Sequence, residues 1–349
     1  MALGRSSLVV SMPKAWLELH GLGKGDEVSM DVHPDGSLTI QSTLERGGWG
    51  REVHLGVEAG EADGSIVRRI IGAFLDGCTV VKLSSGEVFS PGQQRVVREV
   101  AGRLFMMVLE AEARSIVLQT LVDESQASLA SSVERMHVIA YSMCRDILEA
   151  LREGDVGLAR SVLSLEDDID QLRFLLLRLI RRVAVDPVLG RRLGVDALDC
   201  LEYQTLVSTI ERIGDHATSI AESVIRVIES GIVVPGEVFE ALTGAAEIAF
   251  SSYDRAVQGY LSRSIEDVDE IIGRKRVIDE IYMGVTPLPV FGGSGETSVL
   301  SDVVNIRECL RKIIHHAGRI AELTIDRAYR IEEDWGDFAR ACQKTLKSQ

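Results

Sequence analysis

Acidic side chains at helical spacing are the residues in this sequence that could most readily do chemistry. Glu166 with Asp170, and Glu211 with Asp215, are each separated by four positions. On a helix this spacing places both carboxylates on one face, where like charges repel by roughly 0.2–0.5 kcal/mol. A bound cation would reverse that penalty, because carboxylates from two neighbouring helices can converge on a metal ion. The pattern is equally typical of solvated acidic helix faces, so spacing alone leaves both interpretations open.

Three neighbouring residues bear on this choice. Asp167 flanks the first pair, and Glu222 lies three turns after Glu211, nearly on the same line. Gly214 lies between Glu211 and Asp215, where a glycine costs about 1 kcal/mol relative to alanine in a helix. Close approach of a second helix would explain this glycine, and so would room for a metal.

The elements that must position these acids are long helices, which begin near residue 127. Gly154 ends the first helix, and Asp155 can cap the second. The second runs to the break at Val185-Asp186-Pro187, and the third runs from about Val195 to Glu229. Short breaks between them predict an up-down-up bundle. Apolar residues step by three and four along the first helix, at Val133, Met136, Ala140, Met143, Ile147 and Leu151.

This helical plan occurs twice in the chain. The apolar residues of the third helix reappear one hundred positions later, and so does His216, as His316. Upstream, the run that begins at Ile169 is echoed from Ile278. The repeated apolar residues are Leu206, Ile210, Ile213, Ala217 and Ile220, which match Ile306, Leu310, Ile313, Ala317 and Ile320.

The run from Glu211 to Glu222, E-R-I-G-D-H-A-x-x-I-A-E, resembles the signature of the PhoU family, and Glu166-x-x-x-Asp170-Gln171-Leu172 resembles that family's partner helix. The resemblance covers about residues 127 to 335. It implies a multinuclear metal cluster, commonly iron, with zinc, manganese or magnesium as alternatives, bound by Glu166, Asp170, Glu211 and Asp215. It also implies a regulator that restrains phosphate import by contacting the ATPase subunit of the phosphate ABC transporter, in many bacteria together with a sensor kinase.

The second repeat departs from this pattern. Arg311 stands opposite Glu211, His315 opposite Asp215 and Lys275 opposite Glu166, while Asp279 remains acidic. Fixed positive groups at these positions argue against a second full cluster. We therefore predict one metal-competent repeat and one degenerate repeat, with Asp167, Glu222, Asp279 and His315 as additional candidate ligands.

The first 40 or so residues predict short strands, a turn at Gly21–Asp26 and a hairpin at Pro34–Gly36. The segments GRSSLVVSMPKAW, GLGKGDEV and DGSLTI resemble the AbrB/SpoVT swapped-hairpin module, which forms intertwined homodimers and often binds DNA. Candidate DNA contacts are Arg5, Lys14 and Lys24, but acidic residues outnumber them in this segment, and the chain carries a net charge of −15 that repels nucleic acid. A homodimer is therefore indicated more strongly than DNA binding.

Residues 46–125 predict a small α/β unit without a nucleotide-binding glycine motif, which we expect to pack against the helices. The predicted fold is multidomain and mainly α: an AbrB/SpoVT-like β module over 1–45, the α/β unit over 46–125, and PhoU-like three-helix repeats over 126–232 and 233–345.

Several observations favour a non-enzymatic, cytoplasmic regulator. Glu134 and His137 form one Glu-x-x-His motif, whereas di-iron oxidases use two. No Ser/His/Asp or Cys/His nucleophile arrangement stands out. The five cysteines form no C-x-x-C pair, and we find no signal peptide and no apolar run of about 20 residues. A phosphate-responsive DNA-binding regulator and a di-iron enzyme remain as alternatives.

Overall fold

The computed structural model describes residues 10–32, 38–42, 51–122, 128–274 and 296–330. Two compact units divide the chain: the first contains the described residues that precede Gly50, and the second spans Arg51–Arg330.

The first unit contains one short helix and one strand pair. Helix α1 (Lys14–His20) ends at Gly21, whose φ of +63° is the left-handed conformation that glycine adopts readily. Strands β1 (Val28–Val32) and β2 (Leu38–Ser42) pair antiparallel, with Val28 opposite Ser42. The two predicted strands on either side of the hairpin are confirmed. The predicted turn at Pro34–Gly36 and most of the strand predicted at Ser7–Ser11 lie outside the described residues.

The second unit begins with a four-stranded mixed sheet in the order β3-β4-β6-β5. Strands β3 and β4 pair in parallel and are joined by helix α2, which is a βαβ connection, whereas β6 is antiparallel to both of its neighbours. Side chains such as Ile70, Phe74, Leu83 and Leu118 form its buried core. The elements are β3 (Glu52–Val57), α2 (Asp63–Leu75), β4 (Val80–Ser85), α3 (Pro91–Arg103), β5 (Met106–Ala111) and β6 (Ser115–Thr120).

Long helices follow, as predicted. The Asp155 side chain accepts a hydrogen bond from the backbone N–H of Leu158 at 3.0 Å and so caps the second long helix. Residues 268–274 are also helical. A short helix after Pro187 was not predicted. The labelled helices are α4 (Leu129–Glu153), α5 (Val156–Val185), α6 (Pro187–Leu193), α7 (Ala197–Glu229), α8 (Gly236–Ser262) and α9 (Glu296–Ala328).

The two repeats share one continuous apolar core. The predicted apolar residues of α4, α7 and α9 are buried, apart from Leu151, which is partly buried. Helices α7 and α9 run antiparallel, because Arg226 near the end of α7 pairs with Asp302 near the start of α9, while Arg327 pairs with Glu202. The duplication seen in the sequence is therefore a pair of corresponding helices packed on each other.

Arg178 joins the α/β unit to α5. Only 1% of this residue is exposed, and its guanidinium donates to the carbonyl oxygens of Phe74, Cys78 and Gly77 at 2.6, 2.8 and 3.3 Å. Phe174 also packs into the core of the α/β unit. The α/β unit thus packs against the helices, as expected. Among the described helices, none is long and apolar enough to cross a membrane.

Candidate functional site

The two predicted acid pairs flank a close contact between α5 and α7. A Cβ atom at Gly214 would lie 2.8 Å from Cδ1 of Ile169, a separation that real Cβ atoms essentially never show. Ile169 lies between Glu166 and Asp170 in the sequence, as Gly214 lies between Glu211 and Asp215. Close helix approach therefore explains this glycine. We call Glu166, Asp170, Glu211 and Asp215 together the acidic face.

Charges within the acidic face raise the pKa values of Glu166, Glu211 and Asp215. Burial raises the pKa of Glu166, and the charges of Asp215 and Asp170 raise it further. Burial also raises the pKa of Asp215, with Asp170 adding to the rise. For Glu211, burial again comes first, and Asp215 and Asp170 contribute. Burial raises the pKa of Asp170, although the charges of Arg173 and Arg103 partly lower it. Carboxylates on two helices thus destabilise each other's ionised forms.

Two arginines that sequence reasoning missed offset part of this repulsion. Nε of Arg173 lies 3.3 Å from Oε1 of Glu211, an ion pair without hydrogen-bond geometry. Arg103, in the last turn of α3, places Nη2 2.9 Å from Oδ1 of Asp167. A clue existed for Arg173, which follows Asp170 by three positions, but the Arg103 contact depends on how the α/β unit docks.

The acidic face has donor atoms that suit a metal ion, but its described side chains are not arranged to hold one. Carboxylate oxygens are the donors that hard cations prefer, and added positive charge would relieve the mutual repulsion. In the described part of the chain, however, no three His, Cys, Asp or Glu side chains are grouped closely enough to hold a metal ion. The predicted iron or other metal cluster therefore remains a proposal.

The remaining candidates are scattered. Glu222 is exposed and lies 3.8 Å from Arg226, and half-buried His315 lies on α9 rather than on α5 or α7. Arg311 pairs with Glu308 at 2.8 Å. Of the proposed DNA contacts, Lys14 lies 3.5 Å from Glu18 and Lys24 is in the turn after α1. Arg5, Lys275 and Asp279 lie outside the described residues.

His137 of the Glu-x-x-His motif belongs to the core. Its Nε2 lies 3.0 Å from Oδ1 of Asp254 on α8, and its ring packs edge-on against Tyr253 at 5.0 Å between centroids. Glu134 is exposed. The motif thus separates into a core histidine that links the two repeats and a surface carboxylate.

Comparison with known proteins agrees with this architecture. The family model described as "PhoU domain" matches residues 133–224, which cover most of α4, all of α5 and most of α7. The chain contains a PhoU domain. The acidic face lies inside the matched range of that domain. Residues 2–46 match the model of the antidote-toxin recognition protein MazE, a bacterial antitoxin, which confirms the AbrB-like interpretation of the N-terminus.

Curated relatives extend beyond the PhoU domain model. A protein of Rhizobium meliloti (strain 1021), named a phosphate-specific transport system accessory protein PhoU homolog, is 27% identical over 215 residues, which are 59% of this chain and 86% of that protein. A protein of the same name from Caulobacter vibrioides is 29% identical over 99 residues, and the match spans only 40% of its length.

Two solved structures also align with the chain. PhoU from Pseudomonas aeruginosa is 20% identical, with a TM-score of 0.49 over 56% of this chain and 93% of that one. The phosphate transport system regulatory protein PhoU from Streptococcus pneumoniae is 17% identical, with a TM-score of 0.46 over 56% of this chain and 91% of that one.

Proposed function

We propose that this protein is a regulator of phosphate homeostasis that restrains phosphate uptake. Its PhoU domain and its relatives named as accessory proteins of phosphate-specific transport support this class of function. In the proposal, the helical unit acts in the cytoplasm as a scaffold that contacts the ATPase subunit of a phosphate ABC transporter, with a sensor kinase as a second partner. The AbrB-like module would hold two copies together, because a swapped hairpin completes its sheet only with a second chain.

The observation that carries the proposal is the acidic face on packed helices. Glu166 and Asp170 on α5 and Glu211 and Asp215 on α7 would hold the cation, with iron as the first candidate, and Asp167 and Glu222 at its edge. Bound metal would supply positive charge that neutralises the four carboxylates. Gly214 allows close approach of α5 and α7, and in the proposal the metal-bound surface is the one recognised by the transporter.

Phosphate uptake in phosphate-replete cells tests this function. The gene is deleted while the phosphate transporter is expressed from a constitutive promoter, so that transcription of the transporter cannot change. We expect uptake to rise, and we expect wild-type protein but not Glu211→Ala/Asp215→Ala to lower it again. The matched control is Glu110→Ala/Glu112→Ala, two exposed acids near the end of β5, which should complement fully. Unchanged uptake in the deletion strain would contradict post-translational restraint.

A DNA-binding transcriptional regulator is the second candidate, and the match of residues 2–46 to MazE favours it. Arg5, Lys14 and Lys24 would contact phosphates, and a dimer would double their number. DNA retention by the purified chain should then fall steeply as salt rises, and Lys14→Gln/Lys24→Gln should weaken it. Retention that is absent even at low salt would exclude this candidate.

A further inference from the structure

A basic groove lies between α7 and α9. Its cavity has a volume of about 230 Å³ and is lined by polar and basic side chains only. That volume is below the roughly 300–1,000 Å³ of pockets for drug-sized ligands, so the groove suits a small ion. The lining residues are Gln204, Thr205, Ser208, Thr209, Arg212, His316 and Arg319.

Two guanidinium groups give the groove its charge. Arg212 projects from α7 and Arg319 from α9, and both side chains are exposed. Among the described residues, neither guanidinium forms a hydrogen bond or an ion pair, although most other arginines of the unit have a carboxylate or carbonyl partner. Guanidinium groups are well suited to phosphate and carboxylate, which they bind through paired hydrogen bonds.

The sequence repeat provides an internal comparison. Because α7 and α9 correspond at an offset of one hundred and pack antiparallel, the groove has a counterpart on the other side of the helix pair. Arg212 corresponds to Lys312, His316 to His216, and Ser208 to Glu308. The two histidines stack near the middle of this arrangement, with ring centroids 5.6 Å apart.

The counterpart supplies its own anion. Glu308 accepts hydrogen bonds from Arg311 at 2.8 and 3.1 Å, and Nζ of Lys312 lies 4.0 Å from its carboxylate. The amide of Asn305, which corresponds to Thr205, donates to Oγ of Ser219 at 3.0 Å. In the basic groove, Ser208 takes the place of this glutamate and lines the cavity.

We propose that the basic groove binds inorganic phosphate, which takes the place that Glu308 fills in the counterpart. Arg212, Arg319 and the Ser208 hydroxyl donate to its oxygens. This assignment goes beyond the proposed restraint of uptake and rests on the groove alone, whose lining contains none of the four carboxylates of the acidic face.

The groove also contains acceptors for the proton that hydrogen phosphate carries. The hydroxyl of Thr209 donates to the carbonyl oxygen of Thr205 at 2.7 Å, and that of Thr205 donates to Leu201 at 3.0 Å. Both hydroxyl oxygens can therefore only accept a further hydrogen bond. Sulfate has no proton to offer these acceptors.

Calorimetric titration of the purified full chain with inorganic phosphate tests the site. Chelator-treated protein in weakly alkaline buffer is used, so that phosphate is the dianion and no metal retains it. We expect one phosphate per chain, with sulfate binding at least several-fold more weakly. Ser208→Glu, which copies the counterpart, should abolish binding and keep the fold. Arg319→Gln should weaken binding about tenfold or more, since it removes a charge-assisted contact.

Arg98→Gln is the matched control, because Arg98 is an exposed arginine on α3 far from the groove in sequence, and it should leave the affinity unchanged. Absence of phosphate binding by the wild type would overturn the proposal. Phosphate binding by Ser208→Glu and Arg319→Gln as tight as binding by the wild type would also overturn it. An affinity for sulfate equal to the affinity for phosphate would overturn the assignment to phosphate. Restraint of the transporter could still hold in each case, because the uptake assay tests substitutions in the acidic face and none in the groove.

Discussion

Substituting Gly214 tests whether the α5–α7 contact is as tight as the structure indicates. In Gly214→Ala the new methyl group would lie 2.8 Å from Cδ1 of Ile169, which is itself buried. Overpacking of this kind costs about 1–3 kcal/mol, while alanine gains about 1 kcal/mol in helix propensity over glycine. We therefore expect a net loss of about 1 kcal/mol in the free energy of unfolding.

A second substitution isolates the steric contribution. Ile169→Val removes Cδ1, and the next nearest Ile169 atom is Cγ2 at 3.6 Å, an ordinary contact. Alone it should cost about 1 kcal/mol. In the double variant the alanine no longer clashes and its helix propensity is gained in full. The double variant should therefore be about as stable as the wild type and more stable than either single variant, a departure from additivity of about 2 kcal/mol.

Equilibrium unfolding in urea, with chelator present, measures all three variants. Gly318→Ala is the matched control: Gly318 lies inside α9, and a Cβ there would meet nothing within 4 Å, so this variant should gain about 1 kcal/mol. If Gly214→Ala were stabilised as much as Gly318→Ala, the reasoning would be refuted, and close approach would no longer explain how the acid pairs meet.

Three further predictions concern charge. Without metal, Asp215→Asn should raise the free energy of unfolding by roughly 0.2–0.5 kcal/mol because it removes a repulsion; a lower melting temperature in chelator would contradict this. Burial lowers the pKa of His137 below its usual 6.5, so its contribution to stability is present above about pH 6.5 and is lost as pH falls from there toward the lowered value. In urea unfolding, His137→Gln should lose less free energy of unfolding than the wild type over that pH interval. An equal loss in the two proteins would mean that groups other than His137 cause the pH dependence. Arg178→Met removes a donor from three carbonyl oxygens, of which that of Phe74 still accepts from the N–H of Gly77, and should cost about 2 kcal/mol or more, with faster amide exchange at the end of α2; unchanged exchange would show that the α/β unit does not depend on this contact.

The elements of this fold that were predicted from sequence are those fixed by local chemistry. Apolar spacing of three and four identified the buried faces of α4, α7 and α9, because a helix must bury one continuous stripe. Asp155 and Gly154 marked a helix boundary because capping depends on neighbouring backbone groups alone. The repeat was visible because both copies kept the same apolar positions.

Features that depend on docking were not accessible in the same way. The contact between Arg103 and Asp167 joins α3 to α5, and nothing in either local sequence indicates it. The basic groove arises because α7 and α9 cross antiparallel, which brings Arg212 near Arg319 across more than one hundred positions. For Gly214 the sequence left two explanations, and only the position of Ile169 decided between them.

Arg212 follows Glu211 directly in α7, and its charge opposes the rise in pKa of both Glu211 and Asp215. Phosphate bound to Arg212 would offset that positive charge, so the acidic face would attract a cation more strongly. Coupling free energies between two sites are reciprocal, so a cation on the acidic face would strengthen phosphate binding by the same factor. Both sites on helix α7 would then be occupied most fully when metal and phosphate are present together.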